Sequence, residues 1–204
     1  LSGSTMTEGS SVSYIFTATL SSASQGVTTI TTDRGVITIA NNQTTGTLVV
    51  PVSNGEDVYL DATSLTATIT ATGGGNFENL VIGTGTATAS VTDTNDDTTV
   101  SLSGPSDVVE GATASNYVLT LNNTPVSAVT VTLSYSGAAI DGTDFTGVIT
   151  VTIPSNGTSA SFSISTLDDL LAETAESFTV SIAGISGGGF ESLVAHPTAN
   201  SVTT

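Results

Sequence analysis

Eighteen carboxylates and one guanidinium set the chemistry open to this chain of 204 residues. The lone cation is Arg34, and the formal net charge is -17. Fifteen of the eighteen acids fall at the ends of alternating apolar segments, in two groups. Glu8, Asp33, Glu56, Asp57, Asp61, Asp93, Asp96 and Asp97 make the first, and Glu110, Asp141, Asp144, Asp168, Asp169, Glu173 and Glu176 the second. Two carboxylates about 4 Å apart repel by about 4 kcal/mol at an effective dielectric near 20. Acids spread beyond roughly 8 Å are screened by salt, whereas gathered acids need a cation between them. Hard oxygen donors without nitrogen or sulfur suit calcium, which takes about 6–8 oxygens at about 2.3–2.6 Å. Magnesium demands an octahedral site and keeps its water, so it fits less well.

The same charge balance excludes other functions. Nothing in the chain can replace the counterions of a nucleic acid or grip an anionic membrane, and no apolar run approaches the roughly 20 residues of a spanning helix. Without Cys there is neither a disulfide framework nor a thiol nucleophile. Catalysis finds little material: the single His, His196, stands beside Pro197 in an expected loop. Paired acids could serve a glycosidase, but sugar clefts rest on aromatic platforms and the chain has no Trp. We expect no enzyme. Charged residues are 9% and apolar residues 38%, so the chain should fold rather than remain an acidic coil.

Elements that could position these acids emerge from an internal repeat. Leu1-Ser2-Gly3 and Glu8-Gly9 match Leu102-Ser103-Gly104 and Glu110-Gly111. Gly73-Gly74-Gly75-Asn76-Phe77-Glu78-Asn79-Leu80-Val81 matches Gly187-Gly188-Gly189-Phe190-Glu191-Ser192-Leu193-Val194. Two homologous domains are expected, 1–97 and 98–204, with an acidic linker over 93–97. Residues 12–20, 47–52, 65–70 and 86–91 alternate apolar with small polar side chains, as do 115–121, 160–164, 178–182 and 198–202. Asn41-Asn42, Asn54-Gly55, Asn122-Asn123 and Asn156-Gly157 supply turns. About seven short strands per copy predict an all-β fold of two tandem β-sandwiches joined end to end, immunoglobulin-like in build. Residues 167–175 alone hint at a helical turn.

The run Asp168-Asp169-Leu170-Leu171-Ala172-Glu173-Thr174-Ala175-Glu176, followed by Ser177-Phe178-Thr179-Val180, resembles the acidic core of Calx-β domains. The resemblance extends to Glu110-Gly111 and to Asp141-Gly142-Thr143-Asp144-Phe145. It implies that Glu110, Asp144, Asp168, Asp169, Glu173 and Glu176 are calcium ligands, with Asp141 beside them. In the first copy Glu8, Glu56, Asp57 and Asp61 hold comparable places. Both copies resemble the LapA-type extender repeats of giant bacterial biofilm adhesins, through Asp57-Val58-Tyr59 and the Gly-Gly-Asn-Phe-Glu-Asn-Leu-Val segment at 74–81. That resemblance implies an RTX-class adhesin, type I secretion, an outer-membrane-anchored position on the bacterial surface, and calcium that stiffens the joints between repeats.

Electrostatics alone makes the linker a second metal candidate. Asp93, Asp96 and Asp97 repel one another and the pole acids when no metal is present, and share an ion when calcium arrives. The partners expected are therefore calcium and neighbouring repeats of the same chain, with no nucleic acid, no direct membrane insertion, and a monomeric isolated fragment. A second reading is a module that itself grips a glycan or protein, for which residues 135–145, longer in the second copy, are the best candidate. The Thr-x-Thr runs read as solvated strand faces rather than an ice-binding array.

Overall fold

The computed structural model describes the chain except Ser10, residues 169–173 and the side chains of Ala114 and Ser115. Two compact units result: Leu1–Asp57 with Asp61–Thr94, and Val58–Leu60 with Asn95–Thr204. Every regular element among the described residues is a strand. The expected helical turn at 167–175 lies largely outside the described residues.

Unit 1 runs β1 (Ser2–Gly3), β2 (Thr5–Thr7), β3 (Ser13–Thr19), β4 (Thr28–Thr32), β5 (Gly35–Ile39), β6 (Thr45–Pro51), β7 (Thr63–Gly74) and β8 (Thr86–Thr92). One sheet has the order β1-β3-β6 and the other β2-β8-β7-β4-β5. Period-two alternation places Tyr14, Phe16 and Ala18 of β3 against Ile30, Ile37, Ile39, Ala67, Ala89 and Val91 of the facing sheet. The result is a β-sandwich. Alternation does not single out β4, because Thr stands on both of its faces. Thr28 and Thr32 are nevertheless buried, their hydroxyls bonded to Ser24 Oγ at 2.6 Å and to the Gly35 carbonyl at 2.8 Å.

Two pairings in this unit decide where the acids go. β2 runs parallel to β8, with Thr7 opposite Thr92, so Glu8 and Asp93 leave the sheet side by side. The Glu8 amide donates to the Thr92 carbonyl at 2.9 Å, extending that ladder by one bond. β7 runs antiparallel to β8 with Thr63 opposite Val91, which brings Asp61, just ahead of β7, to the same end.

Unit 2 contains β9 (Asp97–Ser103), β10 (Thr113–Leu121), β11 (Val129–Gly137), β12 (Phe145–Thr146), β13 (Thr150–Ile153), β14 (Ser159–Thr166), β15 (Phe178–Gly187), β16 (Ser192–Ala195) and β17 (Ser201–Thr203). Its sheets are β12-β14-β10-β9-β16 and β13-β11-β15-β17. Tyr117, Leu119, Phe162 and Ile164 pack against Val129, Val131, Leu133, Ile153, Phe178 and Val180. The strand expected over 198–202 is confined to Ser201–Thr203. Ahead of it, His196 Nδ1 accepts the Ala199 amide at 3.1 Å and the Thr198 amide at 3.3 Å, which curls the chain into a turn.

Phe16 is fully buried between the layers that hold the acidic end of unit 1. Phe16→Ala should destabilise this unit by about 3–5 kcal/mol. Ile149→Ala in unit 2, at a side chain 68% exposed, should stay within about 0.5 kcal/mol. Urea denaturation of the two variants checks the contrast.

Candidate metal centre

Among the described residues, Glu8, Asp61 and Asp93 form a trio whose carboxylate oxygens all lie within 4.8 Å of one another. Oxygens that share one calcium at about 2.4 Å stand no more than about 5 Å apart, so the trio fits around a single ion. Glu8 is 5% exposed. Its Oε1 accepts the Thr94 amide at 2.8 Å and lies 3.1 Å from the Thr94 hydroxyl. That hydroxyl also lies 2.9 Å from Glu56 Oε1, and its one proton can serve only one carboxylate at a time. The Asp61 amide donates to Asp93 Oδ1 at 3.3 Å. Asn54, itself buried, offers its carboxamide nitrogen to both Asp61 oxygens at 2.7 and 2.8 Å.

The one guanidinium of the chain is engaged elsewhere. Arg34 bonds the Thr66 carbonyl at 3.0 Å and stands 3.6 Å from Asp33. Partial desolvation holds the Asp61 carboxyl above the usual carboxylate range, and the charges of Asp57, Glu8 and Asp93, with a hydrogen bond to Asp93, push the same way. The donor set is all oxygen, and the oxygens are spaced as around one ion. It therefore fits a hard divalent cation.

Glu56 joins the cluster through Thr94, and Asp57 reaches it by charge. Asp96 and Asp97 belong to unit 2. The Asp96 amide donates to Glu191 Oε2 at 2.7 Å, and the Ser192 hydroxyl donates to Asp97 Oδ1. Glu110, Asp144 and Glu176 line a groove of about 520 Å³ at one end of unit 2. Asp168 stands at the same end, because β10 and β14 pair antiparallel with Thr113 opposite Ser165. Asp169 and Glu173 lie outside the described residues.

Asp141 and Asp144 serve their own loop: Asp141 Oδ1 accepts the Gly147 amide at 2.8 Å, and Asp144 Oδ2 accepts the Ile140 amide at 2.6 Å. The aromatic rings of residues 135–145 turn inward. Phe145 is buried and stacks on Phe178, and the Tyr135 hydroxyl exchanges hydrogen bonds with the Val148 backbone. Burial raises the Tyr135 pKa above its ordinary value. That loop therefore presents no aromatic platform for a sugar.

Two participants fall outside the candidate set read from sequence. Asn54 was legible only as half of an Asn-Gly turn, and Glu191 only as part of the repeated Phe-Glu pair. Neither residue type signals a metal site by itself.

These features define a pair of acidic-ended β-sandwich modules. The chain matches the LapA domain model over residues 1–94 and 96–204, and it belongs to that family. Membership points to an adhesin of the cell surface. No curated protein matches the chain. Among solved structures, the chain is similar to CBD12 from CALX1.2, at 8% identity and a TM-score of 0.40, covering 98% of this chain and 94% of the other. It is likewise similar to the calcium binding domain CBD12 of CALX1.1, at 10% identity and a TM-score of 0.42, covering 99% and 98%.

The raised pKa of Asp61 means that the folded state holds this proton more tightly than the unfolded chain. The associated stability is fully present below the unfolded value, near pH 4, and is lost as pH rises through the folded one. In metal-free protein, Asp61→Asn should therefore raise the melting temperature at neutral pH, and the gain should vanish below about pH 4. Thermal scans in chelator across this range read the difference directly.

Proposed function

We propose that the chain is an extender segment of a cell-surface adhesin, made of modules 1–97 and 98–204 that bind calcium at their acidic ends. The observation that carries this reading is the Glu8–Asp61–Asp93 trio. Three strand termini deliver its oxygens to one point, and the one guanidinium of the chain is engaged elsewhere. Calcium is the ion best matched to an all-oxygen set with carboxylates in excess. In unit 2 the corresponding ligands are Glu110, Asp144, Asp168 and Glu176 at the end groove, together with Asp141 and with Asp169 and Glu173, which lie outside the described residues.

Asp93 links the site to mechanics. It follows β8 directly and opens the linker 93–97. An ion that binds Asp93 to Glu8 and Asp61 fixes the point at which the chain leaves unit 1 and removes bending freedom there. Asp96 and Asp97 extend the same control along the linker. Sites of extracellular modules work at dissociation constants of about 10⁻⁴–10⁻³ M. Such a chain stays pliant where calcium is scarce and stiffens where it is millimolar, which suits export followed by extension outside the cell. Its partners are then calcium and neighbouring repeats, the fragment itself is monomeric, and the distal surface contact belongs to another part of the adhesin.

Calorimetric titration of the metal-free chain with calcium should show saturable binding at about 10⁻⁴–10⁻³ M. Asp93→Asn should weaken the unit 1 site by about tenfold or more, since one of its charged ligands is lost. Small-angle scattering should report a larger and narrower distribution of dimensions in millimolar calcium than in chelator. An absence of heat together with unchanged scattering would refute the proposal.

A further inference from the structure

Unit 2 includes the tripeptide Val58–Leu60, held by a specific set of contacts. The Tyr59 ring stacks on Phe190 with centroids 5.6 Å apart and planes 20° from parallel. Leu60 donates its amide to the Gly189 carbonyl at 3.0 Å, and Glu191 donates its amide to the Val58 carbonyl at 3.0 Å. The Tyr59 hydroxyl donates to the Thr124 carbonyl at 2.7 Å. The tripeptide is thus a short strap, read by one ring and two backbone bonds.

The turn that receives it has an unusual backbone. Gly187, Gly188 and Gly189 have φ of 94°, 85° and 75°, and a Cβ on Gly187 would sit 2.2 Å from the Ala128 carbonyl oxygen. The Val126 amide closes the turn on the Gly188 carbonyl at 3.0 Å. Unit 1 builds the same turn from its own copy of the motif. Gly74, Gly75 and Asn76 have φ of 80°, 76° and 55°, and a Cβ on Gly74 would sit 2.2 Å from the Val27 carbonyl oxygen. There the Gln25 amide closes on the Gly75 carbonyl at 3.1 Å. Phe77 and Glu78 then stand where Phe190 and Glu191 stand in unit 2.

What differs is the cover. Phe190 is 4% exposed beneath Tyr59, whereas Phe77 is only half-buried. Among the described residues, neither the Asn76 carbonyl nor the Glu78 amide has a hydrogen-bond partner. Leu193, Val194 and Ala195 of unit 2 lie in a parallel ladder with β9. Their counterparts Leu80, Val81 and Ile82 lie outside any strand, with Val81 73% and Ile82 43% exposed. Phe77, Leu80, Val81 and Ile82 border an open groove of about 600 Å³.

We propose that residues 74–82 of unit 1 form a docking socket whose occupant is the Asp-Val-Tyr-Leu-Asp strap of another LapA-type repeat. The tyrosine ring covers Phe77, the residue after it bonds the Asn76 carbonyl, and the residue before it accepts the Glu78 amide. Motif and turn are the same in both units, and the occupied copy shows which chemistry the open copy takes. The proposal shares with the extender reading only the presence of neighbouring repeats. It needs no metal, so it is tested in chelator.

The probe is the octapeptide Gly-Glu-Asp-Val-Tyr-Leu-Asp-Ala, titrated into the isotope-labelled full chain and followed by amide chemical shifts. Saturable shifts should appear at residues 74–82, and a peptide with alanine in place of tyrosine should not produce them. Phe77→Leu, which keeps an apolar side chain and removes the stack, should raise the dissociation constant about threefold to tenfold, the effect of losing one aromatic pair. Val81→Asp, at an exposed position, leaves the core untouched and should also weaken binding. No shifts at millimolar peptide, equal shifts with the alanine peptide, or shifts confined to residues 189–191 would each overturn the proposal.

Discussion

Like charges held close together are the constraint to which this structure answers. Glu8, Asp61 and Asp93 bring oxygens within 4.8 Å of one another, in a chain whose one guanidinium is engaged elsewhere. Each additional anion at such a point costs several kcal/mol unless solvent, a proton or a cation intervenes. The fold offers partial relief through hydrogen bonds: the Thr94 amide to Glu8, the Asn54 carboxamide to Asp61, and the Asp61 amide to Asp93. Neutral donors stabilise a carboxylate but cannot cancel its field at the neighbouring ones. A divalent cation can.

The crowding follows from strand pairing rather than from loose loops. Parallel pairing of β2 with β8 and antiparallel pairing of β7 with β8 send three acidic termini to one end. Ladder bonds and the core beneath them resist the repulsion, and one sheet imposes the geometry on all three acids together. In unit 2, β10, β14 and β15 gather Glu110, Asp168 and Glu176 at one end by similar logic. There the loop of Asp141 and Asp144 uses carboxylate oxygens to cap its own backbone. The two ends are therefore built from related acids with different local duties.

Repetition in this chain preserves backbone geometry more faithfully than environment. The glycine-rich turn before each Phe-Glu pair has the same run of positive φ in both units, set by residues that tolerate it: three glycines in one, two glycines and an asparagine in the other. Burial of the following phenylalanine is different in the two, because only Phe190 carries a stacked tyrosine. Thr shows a related division. The same residue type serves exposed strand faces and, where a nearby hydroxyl or carbonyl can bond it, the buried positions Thr28 and Thr32 of β4.

The β-sandwich architecture and strands β3, β6, β7, β8, β10, β14, β15 and part of β17 were legible in the sequence, because period-two alternation and Asn-Gly turns act locally and leave local marks. The acidic character of the site was legible too, since eighteen acids with one cation admit few partners. Strand β4 escaped, because Thr on both faces erases alternation. So did Asn54 and Glu191, whose parts depend on neighbours distant along the chain. The selection of Glu8, Asp61 and Asp93 from the wider acidic set could be made only by tertiary structure. Which termini share an end depends on strand order and direction, and those are settled by long-range pairing that no short window of residues encodes.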